Sequence, residues 1–260
     1  MQLFLNTSHF LASILVVCFC AFAQSSQADT IKVLTSGAFK QVVVEIAPMF
    51  EAQTGHAVRI ENDTAGALTR RVEAGESFDV LILPPSALKS LGEKNFIDGT
   101  TLTPLAKVGI GVAVKSGNPK PALSTVADFK QALQQAHRVA YIDPKAGGSS
   151  GIYLEQWFTQ QGLLEMIRPK AVLVPGGLVA TRLVTDEADL AIHQISEILP
   201  VSGVDLVGPL PDVIQHYTIY AVAVGQRTAH AELARSFAAM FGQPEAQTII
   251  RKKGMIPFTP

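Results

Sequence analysis

The stretch "HQISEIL" (193–199) sets an imidazole, a carboxamide, a hydroxyl and a carboxylate at the end of an apolar strand pattern. His193 is the sharpest of these. An imidazole titrates near neutral pH and can both remove and return a proton. A histidine at a strand end also serves as a purely structural residue. Glu197 is the second candidate base, although its place in the first turn of a following helix equally suits it to complement the helix dipole. Tyr153 could donate a hydrogen bond to an anionic group, or lie half-buried beside Trp157.

The segment "DPKAGGSSGIY" (143–153) packs small and hydroxyl residues between an apolar run and a helical pattern. Three other junctions share this character: "TSGAF" (35–39), "NDTAGAL" (62–68) and "HQISEIL" itself. One such junction is ordinary turn chemistry. Four imply a common design, in which backbone N–H groups and hydroxyls at helix starts aim at one anion. Arg71 lies seven residues, about two helical turns, after Thr64 and could point back toward such a site, where a guanidinium suits a carboxylate. Arg70 reads equally as part of a solvated basic face, and Arg182 as a surface residue.

Other chemistries lack their signatures. There is no glycine fingerprint for a dinucleotide, no phosphate-loop lysine and no Gly-x-Ser-x-Gly elbow. His9, His56, His137, His193, His216 and His230 are scattered without metal-ligand spacing, so neither metal nor cofactor is expected.

The elements that must position these residues alternate from end to end. Short β-branched runs at 31–34, 57–60, 78–83, 108–114, 138–142, 171–174, 188–192 and 217–224 read as strands. Between them, apolar residues recur at helical spacing, first at Phe39, Val42, Val43, Ile46, Ala47 and Phe50. Further helices are expected over 65–75, 125–136 (with Thr125 and Asp128 at capping-box spacing), 152–162, 178–186, 228–242 and 245–254. This alternation predicts an α/β fold with mostly parallel sheets flanked by helices, ligands sitting beyond the strand ends.

Residues 1–28 read as a cleaved secretory leader. "LASILVVCFCAFA" is the apolar run, and Ser26 and Ala28 take the −3 and −1 positions, although no Lys or Arg precedes the run. An uncleaved anchor is the alternative, but the run is short for a span. Cys18 and Cys20 would leave with the leader, and with them any disulfide or thiol chemistry. Lys and Arg total 21 against 22 for Asp and Glu, which leaves no global field for nucleic acid or an anionic membrane.

In their order and spacing, "VLTSGAFKQVVVEIAPMFEAQTG", "NDTAGALTRRVEAGESFDVLIL", "AYIDPKAGGSSGIY", "VPGGLVATRLVTDEADLAIHQISEIL" and "IIRKKGMIP" resemble the periplasmic solute-binding proteins of the molybdate-binding type. The resemblance implies a two-lobed, type II binding-protein fold. Lobe 1 would comprise 29–110 with 218–260 and lobe 2 would comprise 111–217, joined near 108–114 and 217–224 and closing by hinge bending. Carried over by motif, ligand contacts fall at Ser36, Gly37, Thr64, Ala65, Ser150, Gly151 and Gln194. The chain departs from molybdate binders in "SGAF" and "TAGAL", and in Gln194, where they usually place a tyrosine. These departures resemble a branch that handles organic carboxylates and includes the aconitate isomerases, which interconvert trans- and cis-aconitate by an allylic proton shift without a cofactor. That branch implies a monomer acting on a small polycarboxylate in the periplasm, with catalytic candidates His193, Glu197 and Tyr153. The competing implication is a non-catalytic receptor that delivers a carboxylate or molybdate-like oxyanion to an ABC permease.

Overall fold

The computed structural model describes residues 28–258; residues 1–27, with most of the expected leader and both cysteines, lie outside the described residues. Strand β1 (Thr30–Ser36) runs directly into helix α1 (Gly37–Thr54), whose buried face is Ala38, Phe39, Val42, Val43, Ile46, Ala47 and Phe50, as the apolar spacing predicts. Then follow β2 (Ala57–Asp63), α2 (Ala65–Glu73), β3 (Val80–Leu83), α3 (Pro85–Glu93) and the long β4 (Ile97–Lys115). Helix α4 (Val126–Gln135) starts at the expected box, Thr125 accepting from the Asp128 N–H while Asp128 accepts from the Thr125 N–H. Strand β5 (Val139–Ile142) leads through a 3-10 turn to α5 (Ser149–Gln160), then to α6 (Leu164–Ile167), β6 (Ala171–Val174) and α7 (Thr181–Val184). Strand β7 (Leu190–Gln194) enters the short α8 (Ile195–Ile198) without a loop. Strands β8 (Val204–Pro209) and β9 (Tyr217–Gly225), helices α9 (Ala231–Met240) and α10 (Pro244–Lys252), and β10 (Ile256–Pro257) complete the described chain.

The strand order is β2-β1-β3-β9-β4-β7-β5-β6, with β8 and β10 also on β4. Strands that carry helices are parallel: β1 with β2 and β3, and β5 with β6 and β7. Strands β4 and β9 pair antiparallel with their neighbours and with each other, which corrects the expectation of mostly parallel pairing to a mixed sheet. Strand β9 lies between β3 and β4, which run the same way and are joined through α3, and it opposes both.

Strand β4 is the seam. Up to Gly109 it pairs with β9, Gly109 lying opposite Tyr217; from Ile110, opposite Gln194, it pairs with β7. Each side of the seam has its own core. On one side Phe50 and Phe237 meet edge to face at 5.2 Å, and Phe39 and Phe241 at 5.6 Å. On the other, Phe129, Trp157 and Phe158 pack around β5 and β7. At about 1.5–3 kcal/mol for each fully buried large apolar side chain, these clusters are a main source of each half's stability. The C-terminal ends of β1, β2, β5 and β7 therefore face one another across the seam.

Candidate functional site

Four helix starts converge on one cavity. Ser36, Gly37 and Ala38 open α1; Thr64 and Ala65 open α2; Gly148, Ser149 and Ser150 open α5; Gln194 precedes α8. None of the caps Ser36, Gly148 or Gln194 makes a side-chain bond to its own helix. First-turn N–H groups without such caps, with the aligned peptide dipoles behind them, form a positive concavity built without cations. No Lys or Arg is among the lining residues, and the cavity holds about 30 Å³.

His193 and Glu197 face each other on this cavity, Nε2 to Oε2 at 3.3 Å, and both are buried. Burial pushes the imidazole down to about 3 and the carboxyl up to about 8, because each loses more hydration in its charged form. At neutral pH both are therefore uncharged, with the carboxyl proton available to Nε2 and the imidazole proton left on Nδ1. That Nδ1 has no partner, nor do Ser36 Oγ and Gln194 Oε1. Buried polar atoms are costly unless paired, so three unpaired ones on a single cavity mark a place where a ligand completes the bonding. Glu197 reaches across the seam toward α1: a Cβ added to Gly37 would lie 2.5 Å from its Oε1. Glycine at 37 leaves room for that carboxyl at the first turn.

The residues expected from sequence divide clearly. The cavity brings together Ser36, Gly37, Thr64, Ala65, Ser150, His193, Gln194 and Glu197. The Thr64 hydroxyl is already engaged, accepting from the Ala67 N–H at 3.1 Å and donating to the Ala146 carbonyl. Gly151 is not on the lining; a Cβ there would sit 2.1 Å from the Ile142 carbonyl, so its smallness lets α5 pack against β5. Arg71 is not on it either. Its guanidinium is held by Glu76 at 2.6 Å and Glu61 at 2.5 Å, which raises its pKa further, and by pairing with Arg71 Glu76 is lowered to about 2. Tyr153 is likewise absent: its hydroxyl donates to the Ile214 carbonyl at 2.6 Å and its ring stacks on His216.

Sequence reading missed Tyr220; Asn62, Asp63 and Ser149 lay within the quoted junctions but were not singled out as contacts, and all four are on the lining. Burial, reinforced by the nearby Glu197, pushes the Tyr220 phenol far above its ordinary range, with the Ser149 hydroxyl opposing. Its signal was weak, because Tyr220 sits in mid-strand on β9 and reaches the cavity only through pairing with β4. Gln194 is braced the same way, donating to Thr218 Oγ1 of β9 at 2.8 Å.

The two sides touch directly over the cavity. The Gly66 N–H donates to the Gly147 carbonyl at 3.1 Å, and a Cβ built on either glycine would lie 2.6–2.8 Å from the other's Cα. Gly147 also has φ +84°, a conformation open to glycine.

Comparison with known proteins follows the same lines. A family profile described as "Bacterial extracellular solute-binding protein" matches residues 31–256. A protein from Pseudomonas sp. named aconitate isomerase is 32% identical over 234 residues, covering 88% of each chain. The periplasmic molybdate-binding protein of Azotobacter vinelandii superposes with a TM-score of 0.74 at 21% identity, covering 87% of this chain and 98% of that one. The sulfate-binding protein SubI of Mycobacterium tuberculosis H37Rv gives 0.72 at 18% identity, covering 89% and 88%. These likenesses show the fold, that of the two-lobed type II binding proteins.

Proposed function

The chain belongs to the bacterial extracellular solute-binding proteins, and from that membership we propose that it is a periplasmic protein whose cleft binds a small multiply anionic organic acid and isomerises it. The cleft lies between a lobe of residues 29–110 with 218–260 and a lobe of 111–217. The favoured reaction is the interconversion of trans- and cis-aconitate. One observation carries this reading: a buried imidazole and carboxyl, 3.3 Å apart, on a cavity whose polar atoms lack partners. A receptor needs no titrating pair at its ligand. The relative named aconitate isomerase supports the same reaction.

The chemistry needs one base used twice. With Glu197 ionised, its carboxylate accepts the Nε2–H of His193 and leaves the Nδ1 lone pair free. Nδ1 takes a proton from the methylene carbon of aconitate, and the C–H electrons spread over the allylic system and its carboxylates. The imidazolium, stabilised by Glu197, returns that proton to the former vinylic carbon, so the double bond moves and no net proton is gained or lost. The helix starts hold the substrate carboxylates and stabilise the charge that develops between the two transfers.

The second reading is a non-catalytic receptor delivering an oxyanion to an ABC importer. It is favoured by the small cavity and its lining of hydroxyls and amides without a cation, which suits a compact oxyanion. Incubating purified protein with trans-aconitate and separating the isomers decides between them. Formation of cis-aconitate by the wild type, lost in Glu197→Gln, is the expected result; binding of trans-aconitate without conversion overturns the enzymatic reading.

A further inference from the structure

The inner cavity, about 30 Å³, is small for a six-carbon acid. Beside it lies a much larger hollow of about 670 Å³, and Ala65 and Ser149 line both. The wall between them includes the Gly66–Gly147 contact, whose two residues also face the hollow. Both sides of the seam contribute to it: α2 and the start of α3 from one, and α5 with the entry to β9 from the other.

The hollow has a rigid aromatic wall. Tyr153 and His216 stack with centroids 4.5 Å apart and planes 14° from parallel, and the Tyr153 hydroxyl is tied to the Ile214 carbonyl. Partial desolvation in the stack lowers the His216 imidazole from its ordinary range, although the residue itself is exposed. Around it Ile152, Tyr217 and Ile219 remain 40%, 43% and 38% exposed, three large apolar side chains gathered at one opening. None of the residues lining the hollow is Asp, Glu, Lys or Arg. Its polar groups are neutral: Thr69, Ser86, Gln156 and Thr218, the last being the residue that braces Gln194 of the inner cavity.

We propose that this hollow is the outer half of a single ligand site, and that it takes the planar, unsaturated end of an acid whose methylene end lies at His193, with that end's carboxylates held by the four helix starts. The proposal rests on the reading that the inner cavity takes a carboxylate. Continuity through Ala65 and Ser149, which line both spaces, argues for one occupant. A fixed aromatic face favours a flat conjugated partner over a puckered saturated one, and a lining without charge selects by shape.

Trans-aconitate and tricarballylate carry the same three carboxylates and differ in the double bond, so calorimetric titration with both isolates the outer subsite. The wild type is expected to bind trans-aconitate about three- to tenfold more tightly. His216→Ala, an exposed position, and Tyr153→Leu should each remove most of that preference. Ser150→Ala should weaken both acids alike. Equal affinities in the wild type, or a preference that survives both aromatic variants, would overturn the proposal while leaving the carboxylate reading intact. Failure of both acids to bind the wild type would overturn the two together.

Discussion

Burial raises Glu197 to about 8 from an ordinary 4.5 and lowers His193 to about 3 from 6.5, and the two shifts pull stability in opposite directions. Between pH 4.5 and 8 the unfolded carboxyl ionises while the folded one does not, so the Glu197 contribution is full below 4.5 and lost as pH rises through 8. Between 6.5 and 3 the unfolded imidazole takes up a proton while the folded one does not, so the His193 contribution is full above 6.5 and lost as pH falls. From this pair the ligand-free protein is expected to show a flat region between about pH 4.5 and 6.5, with losses approaching about 1.4 kcal/mol per pH unit on either side. Glu197→Gln should abolish the alkaline loss and keep the acid one, which melting curves across pH would read. The same ionisation frees His193 as a base, so kcat/KM for isomerisation should rise through an apparent pKa near 8. A profile flat from pH 6 to 9 would remove Glu197 from the mechanism. Ser150→Ala, at a fully buried lining position, should cost about 1.5–3 kcal/mol of ligand binding, or roughly ten- to hundredfold in affinity, under either reading. Most of these residues were legible because chemistry gathers where a strand meets a helix in sequence. Arg71 and Tyr153 point the other way for a tertiary reason. Helical phase alone does not reveal that Glu61 and Glu76 capture the guanidinium, or that Ile214 and His216 capture the phenol.

At the scale of elements, the convergence of four helix starts follows from loops with almost no length: Ser36 and Gln194 each end a strand and cap the next helix. Such junctions can be read in a sequence because small and hydroxyl residues mark them. Helix α3 and strand β8 escaped that reading. Helix α3 begins Pro-Ser and buries only Leu88 and Leu91, while β8 is half-buried along its length, so neither has a strong apolar period. The close approach of α2 to the loop before α5 was legible only as an excess of glycine, and its use appears once Gly66 and Gly147 meet. Gly66→Ala tests what that approach does. Alanine favours helix α2 by about 1 kcal/mol, but its Cβ would lie 2.8 Å from Gly147 Cα, so it opposes this close approach without disturbing α2 itself. Expected outcomes are an unchanged or raised melting temperature without ligand, affinity lowered roughly tenfold, and a radius of gyration in X-ray scattering that no longer contracts on ligand addition. Wild-type affinity in this variant would show that the contact has no part in closure.

The whole molecule separates stability from function along β4. Each side carries its own aromatic core, while three buried polar atoms that lack partners, on Ser36, His193 and Gln194, gather on the cavity where the sides meet. That division is why composition and periodicity sufficed for the α/β class, whereas the ligand depends on a surface assembled from four distant segments. The seam itself was visible as apolar runs at 108–114 and 217–224, but not the antiparallel pairing that makes them a continuous bridge. A ligand in this cavity binds the folded chain and not the unfolded one, so it must raise the melting temperature by mass action. At a hundred times its dissociation constant the gain is about 2.7 kcal/mol, or roughly 5–10 °C for a chain of this size. Trans-aconitate is expected to produce that shift, and molybdate, tungstate and sulfate a smaller one, because the compact oxyanions fill the inner cavity and leave the outer hollow untouched. The order should hold when ionic strength is kept constant, which removes any general effect of salt. A shift with molybdate that exceeds the one with trans-aconitate would place the function with the oxyanion receptors, and the buried His193–Glu197 pair would then need a purely structural account.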